Sequence, residues 1–281
     1  MMKWKKLGKI YEVNNDNSYL LSHAANPLAV QLDEDIYRIY YSGRTADNRS
    51  SVSYVDYDII NKKIIDDHKK PVFLHGEEDS FYSHGISLGN LWVKDNNIFV
   101  GFMGWQRRGS DHWRGDIGKI NLNTGKISIL LETSDEDKIS LSYPFIIFED
   151  NIYKMWYGST ISWSSENGEM VHVIKYATSS DCEQWNLHGV AIPYKIGTAQ
   201  AFSRPSVLKI DNKYHMWFSY RSGDGTPYRI GHCVSDDGNT WDYSKKDIDV
   251  GDDNEWDSQM ICYPHVFSHK NKVYMLYNGN N

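Results

Sequence analysis

The sequence predicts an all-β fold, a five-bladed β-propeller, and three observations predict it. A strand–turn–strand phrase is written five times, its copies recur about every 60 residues, and the two ends of the chain complement each other. The copies are Asn26 to Arg44, Ile86 to Trp105, Leu141 to Thr160, Phe202 to Ser222 and Ile261 to Asn280. Each pairs a short apolar strand with an aromatic one across a polar turn, and Pro27, Pro144, Pro205 and Pro264 punctuate four of them. Repeats of this size cannot bury their faces alone, so they stack.

Third strands follow at Ser51 to Asp58, Asp116 to Leu122, His172 to Ser179 and Tyr228 to Ser235, where small, β-branched and aromatic residues alternate with polar ones. Fourth strands follow turns such as Asn123-Thr124-Gly125 and Asp236-Asp237-Gly238, whose glycines tolerate positive φ. The fifth copy stops after two strands. Trp4 to Tyr11 resembles the fourth-strand segment Trp185 to Ile192, so the N-terminal strand is expected to join the C-terminal blade and close the ring. That blade then lacks its third strand, which leaves either an irregular filler or an unpaired edge, and leaves dimerisation open. Residues 1–281 read as a single domain.

Composition narrows the partners. A formal net charge of -7 speaks against nucleic acid and anionic membrane. Aromatic residues make up 14 % of the chain, enough both to pack strands and to offer sugar-stacking surfaces. Cys182, Cys233 and Cys262 lie in separate repeats without metal or disulfide spacing, and read as reduced, buried thiols. The basic start has no apolar stretch of signal-peptide type and no run long enough to span a bilayer, so the expected location is cytoplasmic. No cofactor and no metal is expected.

In such a ring, the loops preceding each first strand and those joining second to third strands share one face around a central funnel. Arg44, Arg49, Arg107, Arg108, Arg114, Arg204 and Arg221 fall there, whereas of the lysines only Lys138 and Lys195 do. Arginine holds carboxylate or phosphate with two planar prongs, so this segregation points to an anionic ligand. Pairing with loop acids such as Glu166 and Asp252 is the competing reading.

The repeat length, together with Ser235 to Trp241 (SDDGNTW) and its variant Ser179 to Trp185 (SSDCEQW), resembles the five-bladed glycoside hydrolase superfamily, including families 43, 32 and 130. The resemblance covers nearly the whole chain. It implies catalysis by carboxylates at the starts of innermost strands, where one group protonates the leaving oxygen and another activates water or attacks. At the matching places stand Asn26, Tyr143 and Arg204, none a general base at neutral pH.

Replacement acids are Asp257 and Glu255 in Glu255-Trp256-Asp257, and Asp79 in Glu77-Glu78-Asp79. Substrate-binding candidates are Arg204 and Arg221 for the negative group, and Trp105, Trp113 and Trp256 for the ring. His23, Asn26, His84, Asp111 and Tyr143 complete the set. The expected function is cleavage or transfer at a glycosidic or sugar-phosphate linkage of an anionic sugar or oligosaccharide. The alternative is a non-catalytic glycan-binding propeller of surface-polysaccharide metabolism.

Overall fold

The computed structural model describes residues 3–14, 16–107, 109, 112–245 and 248–280. Among them every regular element is a strand. The first unit is a meander of β1 (Ser22–Gln31), β2 (Ile36–Arg44), β3 (Ser50–Asp58) and β4 (Lys63–Phe73). The second runs through β5 (Gly85–Lys94), β6 (Asn97–Gln106), β7 (Arg114–Asn121) and β8 (Ile127–Leu131). The third comprises β9 (Leu141–Glu149), β10 (Ile152–Ser162), β11 (Val171–Ser179) and β12 (Asn186–Val190). The fourth comprises β13 (Ser203–Ile210), β14 (Lys213–Tyr220), β15 (Arg229–Ser235) and β16 (Asp242–Lys245). A hairpin of β17 (Cys262–His269) and β18 (Lys272–Asn278) follows.

Local chemistry sets these hairpins. Asp95-Asn96, Asp150-Asn151, Asp211-Asn212 and Lys270-Asn271 each place two consecutive residues at positive φ, the two-residue turn whose twist matches that of the strands it joins. Asn and Asp tolerate that region best among residues with side chains.

Between units, alternate strand residues interleave into apolar clusters. One joins Leu28 and Val52 to Leu88 and Phe102, a second Trp92 and Ile117 to Ile146 and Met155, and a third Phe145 and Trp156 to Phe202 and Phe218. A fourth joins Trp217 and Ile230 to Val266, and a fifth Tyr37 and Ile39 to Phe267 and Leu276. Strand β1 packs on β5, β5 on β9, β9 on β13, β13 on β17, and β17 on β1. The three cysteines are free and buried within this packing.

The N-terminal segment does not form the expected strand. Residues 3–14 lie alongside the last hairpin held by side chains: Trp4 meets Trp217 at 5.8 Å, Lys6 Nζ reaches Asp257 Oδ2 at 2.7 Å, and the Tyr11 hydroxyl donates to Asp67. The segment, β18 and residues of β2 and β3 together line a cavity of about 1280 Å³. Tyr41, Tyr57, Tyr274 and Leu276 line it.

Candidate functional site

Every innermost strand breaks register near its start. The slips fall between Ala25 and Leu28, Leu88 and Leu91, Ser142 and Phe145, Ser203 and Ser206, and Cys262 and His265. In four of the five, the residue before the proline is left-handed: Asn26 at φ 56°, Tyr143 at 37°, Arg204 at 50° and Tyr263 at 55°. A residue before proline ordinarily extends, and a side-chain-bearing residue at positive φ is strained. The same strain at the same place in four repeats marks a bulge that re-aims a side chain.

Arg204 shows where these side chains go. Its Nε donates to Leu88 O at 3.2 Å, Nη1 to Tyr263 O and Pro264 O at 2.8 Å each, and Nη2 to Pro27 O at 2.5 Å. One guanidinium therefore ties β13 to β1, β5 and β17. It is 2 % exposed, and burial pulls its pKa down to about 10. The expectation that Arg204 grips a ligand's negative group is corrected: four of its five N–H groups are already engaged by carbonyls, and solvent does not reach it.

Tyrosines surround this tie. The Tyr143 and Tyr263 rings lie 5.6 Å apart, and Tyr228 lies 6.2 Å from Tyr263. Burial raises the phenol pKa of Tyr143, and that of Tyr228 to about 12; for Tyr263 the neighbouring Tyr143 is the main cause, burial the next. All three therefore stay protonated and able to donate at neutral pH. Arg221 borders them, 5.4 Å over the Tyr228 ring, with Nη2 3.2 Å from Glu169 Oε2. Arg44 borders the other side, where its charge acts on both Tyr143 and His23. The Arg44 guanidinium lies 5.7 Å over Trp105, whose indole donates to Ser50 Oγ at 3.1 Å. His84 sits 5.8 Å from Trp105, and desolvation with the charges of Arg49 and Arg107 lowers its pKa. His23 meets Ser22 Oγ at 2.8 Å, and burial followed by the Arg44 charge lowers its pKa too. Asn26 is buried, its backbone N–H donating to Asn278 Oδ1, while its own Oδ1 has no partner among the described residues. The structure thus gathers His23, Asn26, His84, Trp105, Tyr143 and Arg221 on one face.

Of the expected acids, Asp257 is taken up elsewhere. Asp257 is 1 % exposed, and its Oδ2 accepts from Lys6 Nζ and from the Tyr277 hydroxyl, both at 2.7 Å. Locked in this way it anchors the N-terminal segment, which corrects its assignment as acid or base. Trp256 stacks on Tyr277 at 5.2 Å and lines the cavity beside β18, which His23 and Tyr263 also line. Glu255 and Asp79 are exposed turn residues that share no bond with Asp257 or each other among the described residues. Trp113 stands 6.1 Å from His172, which bonds Ser142 Oγ beside Tyr143. Asp111 and Arg108 lie outside the described residues. Among the described residues no group of three His, Cys, Asp or Glu could hold a metal.

Tyr228 and Tyr263 were not singled out as binding residues by the sequence, and Arg44 was named only among the funnel-face arginines. For Tyr263 the signal was present, since it precedes Pro264 as Tyr143 precedes Pro144.

No protein-family model matches the chain. Two Mycobacterium tuberculosis proteins, uncharacterized proteins MT1551 and Rv1502, are each 36 % identical over 99 % of this chain and 95 % of their own length. The chain belongs to their family. Among solved structures, BT0996 in its complex with RGII matches with TM-score 0.72 at 12 % identity, covering 94 % of this chain and 87 % of that one. A thermostable family-43 glycoside hydrolase matches at 0.60 and 14 %, covering 90 % and 82 %. Bombyx mori GH32 β-fructofuranosidase BmSUC1 matches at 0.65 and 12 %, covering 91 % and 55 %. The fold is therefore that of the propeller-type glycoside hydrolases.

Proposed function

We propose that residues 1–281 form one domain, a ring of five blades closed where β17 meets β1, and that its funnel holds an anionic sugar or oligosaccharide for glycosidase-like cleavage or transfer. One observation carries this reading: Arg44 and Arg221 flank a cluster of three protonated phenols at the bulges. Guanidinium and phenol groups all donate hydrogen bonds, and a carboxylate or phosphate accepts them. The glycoside hydrolase fold supports the sugar, and the donor set supports its charge. Asp79 and Glu255 are the solvent-open carboxylates proposed to supply the proton chemistry. The protein would act in the cytoplasm without metal or cofactor.

Calorimetric titration with galacturonate against neutral galactose tests the charge. Galacturonate is expected to bind at least tenfold tighter, and Arg221→Gln and Arg44→Gln each to remove most of that preference. Equal binding of both sugars would overturn it.

A second reading is favoured by the burial and pairing of Asp257: a propeller that binds glycan without turning it over. Saturable binding with no product, or unchanged turnover in Asp79→Asn and Glu255→Gln alike, selects against the proposed acids.

A further inference from the structure

Two tryptophans on the funnel face are unaccounted for by the packing of the sheets. Trp113 precedes β7, and Trp163 follows β10. Their rings meet edge to face with centroids 4.9 Å apart, and His112 lies flat against Trp163 at 4.7 Å with the planes 5° apart. Neither belongs to any of the five apolar clusters between units. Both rings are partly exposed, and Ile161, two residues before Trp163, is 42 % exposed. No described residue accepts a hydrogen bond from either indole N–H, and neither N–H is buried. The group is joined to the funnel through one buried side chain: Trp113 contacts His172, whose Nε2 bonds Ser142 Oγ at 2.7 Å, next to Tyr143.

From this geometry we infer that Trp113 and Trp163 form a second sugar subsite, so that the ligand is a chain of at least two sugar units. Sugar rings present an apolar C–H face and a rim of hydroxyls. An indole offers the matching pair, an apolar face for stacking and an N–H for a rim oxygen. One unit would hold its negative group among Arg44, Arg221 and the phenols, while its neighbour lies on the tryptophans. The inference rests on the proposed sugar-binding funnel and adds the length of the ligand to it.

The test uses galacturonate oligomers of one, two and three units, titrated calorimetrically into the intact chain. Wild type is expected to gain about tenfold in affinity from monomer to longer oligomers, a typical worth for one aromatic contact. Trp113→Ala and Trp163→Ala are expected to abolish that gain, Trp163→Ala while leaving the monomer's affinity unchanged. In ¹⁵N-tryptophan-labelled protein, the two indole N–H signals, assigned by their loss in the variants, should shift with dimer and not with monomer. A length gain that survives in Trp113→Ala and in the milder Trp113→Phe, or indole signals that stay fixed as dimer saturates, overturns the subsite and leaves the funnel reading standing. Absence of binding by every oligomer overturns both.

Discussion

Replacing Arg204 by methionine removes the donor of four backbone carbonyls at once. A buried acceptor left unpaired costs roughly 1–3 kcal/mol, so Arg204→Met is expected to lose at least about 3 kcal/mol in urea unfolding. Arg204→Lys should fare little better, because an ammonium cannot reproduce the planar fork. Unfolding curves overlapping wild type would refute the role of central tie. Histidines give a second prediction. Burial holds His172 neutral down to about 4 and His265 down to about 3, against an ordinary 6.5. Below 6.5 the unfolded chain takes up protons that the folded chain refuses, so stability is complete above that value and drains as pH falls toward 4. For His172 the loss approaches about 3 kcal/mol, and His172→Gln should flatten the pH dependence of the urea midpoint. A slope identical in the two proteins would show that another group controls it.

At the scale of elements, the repeated prolines mark bulges, and β5 shows what the exception requires. Gly89 stands where the other repeats have proline, and a Cβ there would lie 2.1 Å from Pro144 O on the neighbouring innermost strand. Gly89→Ala should therefore cost roughly 1–3 kcal/mol through overpacking. Gly125→Ala, at φ 73° with nothing near, should cost only about 1 kcal/mol. Thermal unfolding of the pair checks the ordering, and equal losses would remove the steric argument. The motif that suggested the family is likewise a turn. Ser179 and Asp181 bond the backbone N–H groups of Cys182, Glu183 and Gln184 as Ser235 and Asp237 bond those of Gly238, Asn239 and Thr240. Such a motif reports fold and not activity, because its side chains are occupied by their own backbone.

For the whole molecule, the last hairpin depends on the N-terminal segment for cover. Trp4 packs on Trp217 across units, so Trp4→Ala is expected to cost roughly 2–3 kcal/mol and to speed hydrogen exchange in β17 and β18 more than in β9 and β10. Uniform exchange would mean that the segment is not a local brace. If the proposed arginine-flanked funnel holds an anion, binding is salt-dependent: affinity for galacturonate should fall several-fold as the screening length shortens from about 30 Å in dilute salt to about 8 Å at physiological strength. Salt-independent binding would place the anion elsewhere.

The repeats, the hairpin turns and the all-β class were legible because strands and turns are fixed by neighbours in sequence: Asp-Asn pairs, prolines and alternating aromatics act within a few residues. The loops that carry the arginines were legible from their place between strands. Which charged groups remain available there was not, since that depends on contacts spanning most of the chain. Arg204 meets carbonyls up to 177 residues away, and Asp257 meets Lys6 across 251. Tertiary structure turned the expected anion clamp into a buried tie and the expected acid into an anchor. The physical reason is that a buried charge must find partners, and only the packing of the sheets determines which are within reach.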